Sequence, residues 1–166
     1  MKTLEEIKQD LESNVGAGFP RPNEGQGNLA STEKITNDGA SIIVPKEIWL
    51  ETAKFLKESP EYKLDFLSSV TGVDYKDYLE AVYHLYSIEK KEGPLQIKVR
   101  TDREKSLVPS VTPIWRSAEF QEREAYDLVG IHFEGHPDLR RILMWDEFQY
   151  HPLRKDYVME DQDREL

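Results

Sequence analysis

Cysteine is absent from this chain. That excludes disulfides and removes the usual thiolate ligands of iron–sulfur clusters. No run of about 18 apolar residues occurs, so no membrane-spanning helix is expected. The opening Met1-Lys2-Thr3-Leu4-Glu5-Glu6 has no apolar stretch of the signal-peptide kind, which points to a cytoplasmic location. Basic residues are in deficit: 22 Lys and Arg stand against 32 Asp and Glu, a net charge of −10. A generic binder of phosphate backbones needs a dense basic patch, so no nucleic-acid partner is expected. Nucleotide loops are missing as well. Gly16-Ala17-Gly18-Phe19-Pro20 lacks the third glycine of a dinucleotide fingerprint, and no Gly-Lys-Ser/Thr occurs.

What is present suits a folded chain with one core. At 166 residues the length matches one domain. The charged share, 33%, is above average, but aromatics make up 10% and argue against wholesale disorder.

Periodicity gives the elements. Leu4, Ile7 and Leu11 share a face over residues 3–14, and Thr3 with Glu6 forms a capping box. Residues 16–40, rich in Gly, Asn, Ser and Pro, read as a long loop or arm. Ala40–Val44 reads as a buried strand, with Pro45 at a helix start. Ile48, Trp49, Ala53, Phe55 and Leu56 make a helical stripe to about residue 58. Leu64–Val73 is a strand candidate ending at Gly72, and Leu79–Ile88 is rich in strand-favouring Val, Tyr and Leu. Lys90–Pro94 reads as a hairpin connection, and Gln96–Thr101 alternates with Ile97 and Val99 on one face. After an irregular crossing at Pro109 and Pro113, Ser117 is a plausible N-cap for a helix to Val129, with Gly130 as its stop. The expected fold is α+β: an N-terminal helix, a small antiparallel or mixed sheet with helices, and an extended, loop-rich C-terminal segment. Residues 1–157 form a single domain in this reading, and 158–166 an acidic tail.

Residues 117–157 hold most of the candidate functional groups. Glu119–Arg123 and Arg123–Asp127 are spaced to pair on a helix surface, and a solvated face is the simplest account of them. Beyond the helix, charges alternate with Phe133, Leu139, Ile142, Leu143, Trp145, Phe148 and Tyr150. Such a segment cannot bury itself as one regular element. It is suited to wrapping over a surface, with aromatics filling pockets and arginines holding carboxylates. His132, His136 and His151, with Glu124 or Asp127, raise a second possibility, a zinc site in a freestanding hydrolase. Gly135 and Pro137 interrupt the helix that would put two of these rings on one face.

The stretch Glu122-Arg123-Glu124-Ala125-Tyr126-Asp127-Leu128-Val129-Gly130-Ile131, followed by Gly135-His136-Pro137-Asp138-Leu139-Arg140-Arg141-Ile142-Leu143, resembles the signature of the C-type subunit family of NADH–quinone oxidoreductase, respiratory complex I. His151-Pro152-Leu153-Arg154-Lys155-Asp156-Tyr157 is similar to the second block of that family, and Val73-Asp74-Tyr75 to a shorter upstream run. Trp145, Phe148 and Tyr150 depart from the family pattern, as does Val158. The resemblance implies a structural and assembly subunit of the hydrophilic arm, with no catalytic centre of its own. FMN, iron–sulfur clusters, NADH and quinone would then be bound by other subunits. Its partners would be the quinone-pocket subunit, of D type, and that subunit's B-type neighbour, with membrane contact only through the complex. Its place would be the cytoplasmic side of the inner membrane. The interface residues implied are Glu122, Arg123, Glu124, Asp127, Gly130, His136, Pro137, Arg140, Arg141, His151, Pro152, Arg154, Lys155, Asp156 and Tyr157. Arg154 is expected to hold an acidic partner surface. The equivalent subunit of a membrane-bound hydrogenase-type complex shares this resemblance, and a freestanding acidic adaptor is the remaining reading.

Overall fold

A computed structural model describes residues 2–15 and 34–159. Helix α1, Leu4–Asn14, starts at the expected capping box: Thr3 accepts from the Glu6 backbone N–H, and the Glu6 carboxylate accepts from that of Thr3. Its Ile7 and Leu11 are wholly buried. Most of the span read as an arm, 16–33, lies outside the described residues. The rest of it is not loop throughout. Ile35 is buried and β1, Thr36–Asn37, pairs antiparallel with β2, Ile42–Val44. Asp38 closes the turn between them by accepting from the backbone of Ala40 and Ser41.

Helix α2, Lys46–Glu58, follows Pro45 and buries Ile48, Trp49, Thr52, Ala53 and Leu56, the expected stripe with Thr52 added and Phe55 only half-buried. Strands β3, Phe66–Asp74, β4, Tyr78–Ser87, and β5, Glu92–Asp102, form an antiparallel meander. Strand β2 joins the far side of β5 in parallel, giving the order β1-β2-β5-β4-β3 and a mixed five-stranded sheet. Alternation decides the faces: Leu79, Ala81, Tyr83 and Leu85 of β4 lie beside Leu95, Ile97 and Val99 of β5, all buried in one core with α1 and α2. Trp49 of α2 packs on Tyr83 with ring centroids 4.5 Å apart.

Two expectations are corrected. Strand β3 does not stop at Gly72 but runs through it, because α3, Ala118–Val129, crosses there. A Cβ on Gly72 would come within 3.1 Å of Val129, so the glycine permits close helix–sheet packing. Ser117 does hold the N-cap position, but its hydroxyl makes no cap bond; it donates to Leu67 O on β3. Strand β6, Val108–Pro109, pairs in parallel with β7, Phe133–Glu134, and so brings the chain after α3 back beside the 108–112 loop.

Candidate partner-binding strap

Residues 135–157 contain no helix or strand, yet they are held along α3 at defined points. The expected surface pairs of α3 do not form. Arg123 turns to the strap and donates to the carbonyls of Arg140 and Arg141 at 3.2 and 3.1 Å. Asp127 is wholly buried. Its Oδ2 accepts from three successive backbone N–H groups, those of Ile142, Leu143 and Met144, at 3.0, 2.8 and 2.8 Å. Its Oδ1 accepts from Arg141 Nη1 at 2.6 Å, and the same guanidinium reaches Tyr150 O. Burial alone would raise the Asp127 pKa. The N–H groups of Met144 and Leu143, then Arg141 and Ile142, outweigh it and hold the carboxyl below the usual range.

Glu122, one turn earlier, is also wholly buried but meets different partners. It accepts from Val111 N at 2.9 Å and from the hydroxyls of Ser110 and Thr112 at 2.6 and 3.1 Å. No cation pairs with it among the described residues, and burial pushes its pKa up against those three hydrogen bonds. Both carboxylates therefore act as fasteners: Glu122 fixes the 110–112 loop and Asp127 the strap. Glu124, between them, is exposed.

Gly130 ends α3 in the left-handed region, φ +83, as its position suggested. A Cβ there would lie 2.6 Å from Arg154 Nη2 and from His151 Nε2, so the second sequence block sits directly on the helix stop. His151 Nδ1 meets Asp127 O at 2.9 Å, and Arg154 Nε donates to Val129 O at 2.7 Å. Leu153 N donates to Leu128 O. These contacts satisfy carbonyls at the end of α3 that no further helical turn serves. On this chain Arg154 is thus bound inward to carbonyl oxygens. His151 is half-buried, and burial together with the nearby Arg154 and Arg141 lowers its pKa despite the bond to Asp127 O.

The histidines do not converge. His136 has Nε2 against Glu119 O and Nδ1 accepting from Asp138 N, while exposed His132 lies edge-on to Tyr126. Among the described residues no three His, Asp or Glu groups are placed to hold a metal ion. The histidines and carboxylates offered for a hydrolase are therefore not brought together. Gly135, at φ +79, and exposed Pro137 turn the chain out of β7, and Arg140 pairs with Asp138 at the surface.

Asp74 is the anchor that spacing did not single out. Wholly buried at the end of β3, it accepts from Lys155 N and Lys76 N at 2.8 Å each and is paired with Arg103. Arg103 also binds Asp156 at 2.6 Å. Burial would raise the Asp74 pKa, but the Lys155 and Lys76 N–H groups and Arg103 bring it below the ordinary range. The upstream Val73-Asp74-Tyr75 run and the 151–157 block, remote in sequence, are thus one contact. Pro152 is half-buried behind it.

The outer side of the strap is apolar. Trp145 and Tyr150 are 60% and 63% exposed, with Leu143 and Leu153 similar. Phe148 lies 4.7 Å from Trp145, 5.9 Å from Tyr150 and 6.1 Å from Tyr157, centroid to centroid. With Asp156, Val158 and Met159 these rings line a groove of about 520 Å³. Contiguous exposed aromatics of this kind mark surfaces that other molecules cover. Residues 160–166 of the expected acidic tail lie outside the described residues.

Comparison with known proteins agrees with both blocks. A family model described as the 30 Kd subunit of respiratory-chain NADH dehydrogenase matches residues 42–163. A relative from Rhizobium meliloti, a C-type subunit of NADH-quinone oxidoreductase, is 50% identical over 122 residues, covering 72% of this chain and 66% of the relative. A Sulfurihydrogenibium protein, a C/D-type subunit of NADH-quinone oxidoreductase, is 38% identical over 147 residues, which is 86% of this chain but 23% of that protein. The chain thus spans under two thirds of the first relative and under a quarter of the second. Among solved structures, a chain of the membrane-bound sulfane sulfur reductase, an archaeal respiratory membrane complex, superposes with a TM-score of 0.64 at 26% identity, covering 93% of this chain and 85% of that one. The chain therefore belongs to the family of the respiratory-chain NADH dehydrogenase 30 Kd subunit, which includes the C-type subunits of NADH-quinone oxidoreductase.

Proposed function

We propose that this chain is the cofactor-free assembly subunit of the hydrophilic arm of a proton-translocating NADH–quinone oxidoreductase, and that it supports electron transfer from NADH to quinone by holding a neighbouring subunit in place. One observation carries the reading. Three charges of the signature, buried Arg123 and Asp127 and half-buried Arg141, are engaged in fastening a strap whose outer side is a bare aromatic surface. Groups so engaged are not available to move protons or hold substrate, whereas the surface they present is suited to a protein partner.

The partner in this reading is the D-type, quinone-pocket subunit, with the B-type subunit beside it. The Sulfurihydrogenibium protein supports the choice, since its name joins the C and D types in one polypeptide. Interface roles for Arg140, Lys155, Asp156 and Tyr157 belong to the same proposal. So does the assignment of FMN, iron–sulfur clusters, NADH and quinone to other subunits, for which the lack of cysteine in this chain is the support. No helix among the described residues is long and apolar enough to cross a membrane. The proposed place is peripheral, on the cytoplasmic side of the inner membrane through the complex.

The test is affinity purification of the tagged chain from detergent-solubilised host membranes. Recovery with flavin- and cluster-containing subunits, and NADH-driven quinone reduction by the eluate, is expected. A chain recovered alone would overturn the proposal. The likeness to the sulfane sulfur reductase chain supports a second reading, the same structural role in a related respiratory complex with another electron donor. An eluate containing partner subunits but inert to NADH would select it.

A further inference from the structure

The charged side chains of the second block have unequal partners. Arg154 is turned inward on Val129 O and Asp156 is paired with Arg103. Lys155 is exposed, and its ammonium has no carboxylate partner among the described residues. It stands 5.6 Å from the centroid of the Tyr75 ring, which is 41% exposed. Tyr75 stacks on Tyr78 at 5.0 Å with 17° between planes, and the Arg100 guanidinium lies over Tyr78 at 4.8 Å. Arg100 is held there by buried Glu80 at 3.0 Å. A belt of two stacked rings between two cations thus leaves the strap at Lys155, crosses the β3–β4 turn and ends on the sheet. At its other end, two residues along the chain, Tyr157 joins the groove of Trp145, Phe148 and Tyr150.

We propose that belt and groove are one docking surface, running from Trp145 through Lys155 and Tyr75 to Arg100, and that one neighbouring subunit covers it, presenting a carboxylate to Lys155. This rests on the assembly role proposed above and extends its contact surface from the strap on to the sheet. Three observations select a protein occupant with an acidic patch. The surface is made of Trp, Tyr and Arg, the residue types that carry protein interfaces. Lys155 is a positive charge without a counter-ion on a chain of net charge −10, so an acidic patch complements it and a basic one does not. Asp156 lines the groove, and Asp146 and Glu147, next to its rings in sequence, are exposed; a uniformly anionic bilayer would meet all three, whereas a protein can present its carboxylate to Lys155 alone.

The experiment places a photo-crosslinking phenylalanine derivative at Tyr75 or at Tyr150 in the tagged full chain within host membranes. Both positions are expected to capture the same polypeptide, with the Tyr75 adduct mapping beside an Asp or Glu. Capture from Tyr150 but not from Tyr75, or capture of two different polypeptides, overturns the single surface while leaving the assembly role standing. Capture from neither position overturns both. Lys155→Glu is expected to lower the amount of chain recovered in the complex about tenfold, with Lys155→Arg near wild type and the melting temperature of the isolated chain unchanged. Undiminished recovery of Lys155→Glu overturns the proposal. So does binding of the isolated chain to phosphatidylglycerol vesicles that Lys155→Glu abolishes, which would make the occupant a membrane.

Discussion

In the body of the molecule, Trp49, Leu56, Tyr83, Leu85 and Ile97 are wholly buried and carboxylates stay mostly at the surface. In the strap after β7 the arrangement is reversed: Leu143, Trp145, Tyr150 and Leu153 face outward, and what is buried beneath is the carboxylate of Asp127. Burial of apolar side chains is non-directional and adds up over many residues, about 1.5–3 kcal/mol for each large one. Hydrogen bonds to a buried charge are directional and few, so the strap's position depends on a handful of atoms on α3 and β3. The body can absorb a conservative apolar exchange, whereas the strap cannot lose an anchor without losing its course.

The largest effect is expected for Asp127→Ala. It strands three backbone N–H groups and the Arg141 guanidinium, a loss of about 3–5 kcal/mol for one partner of a buried charged set. Hydrogen exchange should show amides 142–144 losing protection while those of β4 and β5 keep theirs. Equal loss in β4 and β5 would show strap and body to be one cooperative unit and break the comparison.

Next comes Gly130→Val. Positive φ strains a β-branched residue by about 1–3 kcal/mol, and the new Cβ would collide with Arg154 and His151. A melting temperature equal to wild type would show that neither the helix stop nor the strap depends on the missing Cβ. Arg154→Ala should cost less, about 1–2 kcal/mol, through the bond to Val129 O, with Arg154→Lys recovering part of it. Urea titrations of the three proteins decide this. An unchanged midpoint for the alanine variant would place Arg154 outside the anchoring of the strap.

The smallest effects sharpen the contrast between the two buried acids. The Asp127 pKa is lowered on folding, so its contribution is present above the unfolded value, about 3.9, and is lost as pH falls through the folded one. Glu122 is raised, so its contribution is present below about 4.3 and is lost as pH rises through its folded value. Stability differences between wild type and Asp127→Asn should therefore shrink toward low pH, and those between wild type and Glu122→Gln toward high pH. Parallel curves from pH 3 to 7 would mean that the two acids do the same work.

Much of the body was legible in the residues. The Thr3–Glu6 box, the Ile48–Leu56 stripe, the alternation of β4 and β5 and the Gly130 stop are local patterns, and local geometry obeys them. Strands β1, β6 and β7 have two residues each, too short to carry a period. The mixed sheet required knowing that β2 meets β5 in parallel, a long-range choice. In the strap, spacing misassigned Arg123 and Asp127 to each other, because their true partners are main-chain groups some fifteen residues away, which every residue possesses and no motif marks. Asp74 was visible only through the short upstream run, and Arg103 carried no mark in the sequence at all.

Strand β3 is one border of the sheet, and two of its outward main-chain groups, with that of Leu64 just before it, are taken by side chains rather than by another strand. Trp115 donates to Leu64 O, Ser117 to Leu67 O, and Val70 N donates to Gln121 Oε1. An uncovered sheet border is a template on which sister chains pair into aggregates. These three side chains leave that stretch of the border without free main-chain groups for a sister strand to pair with.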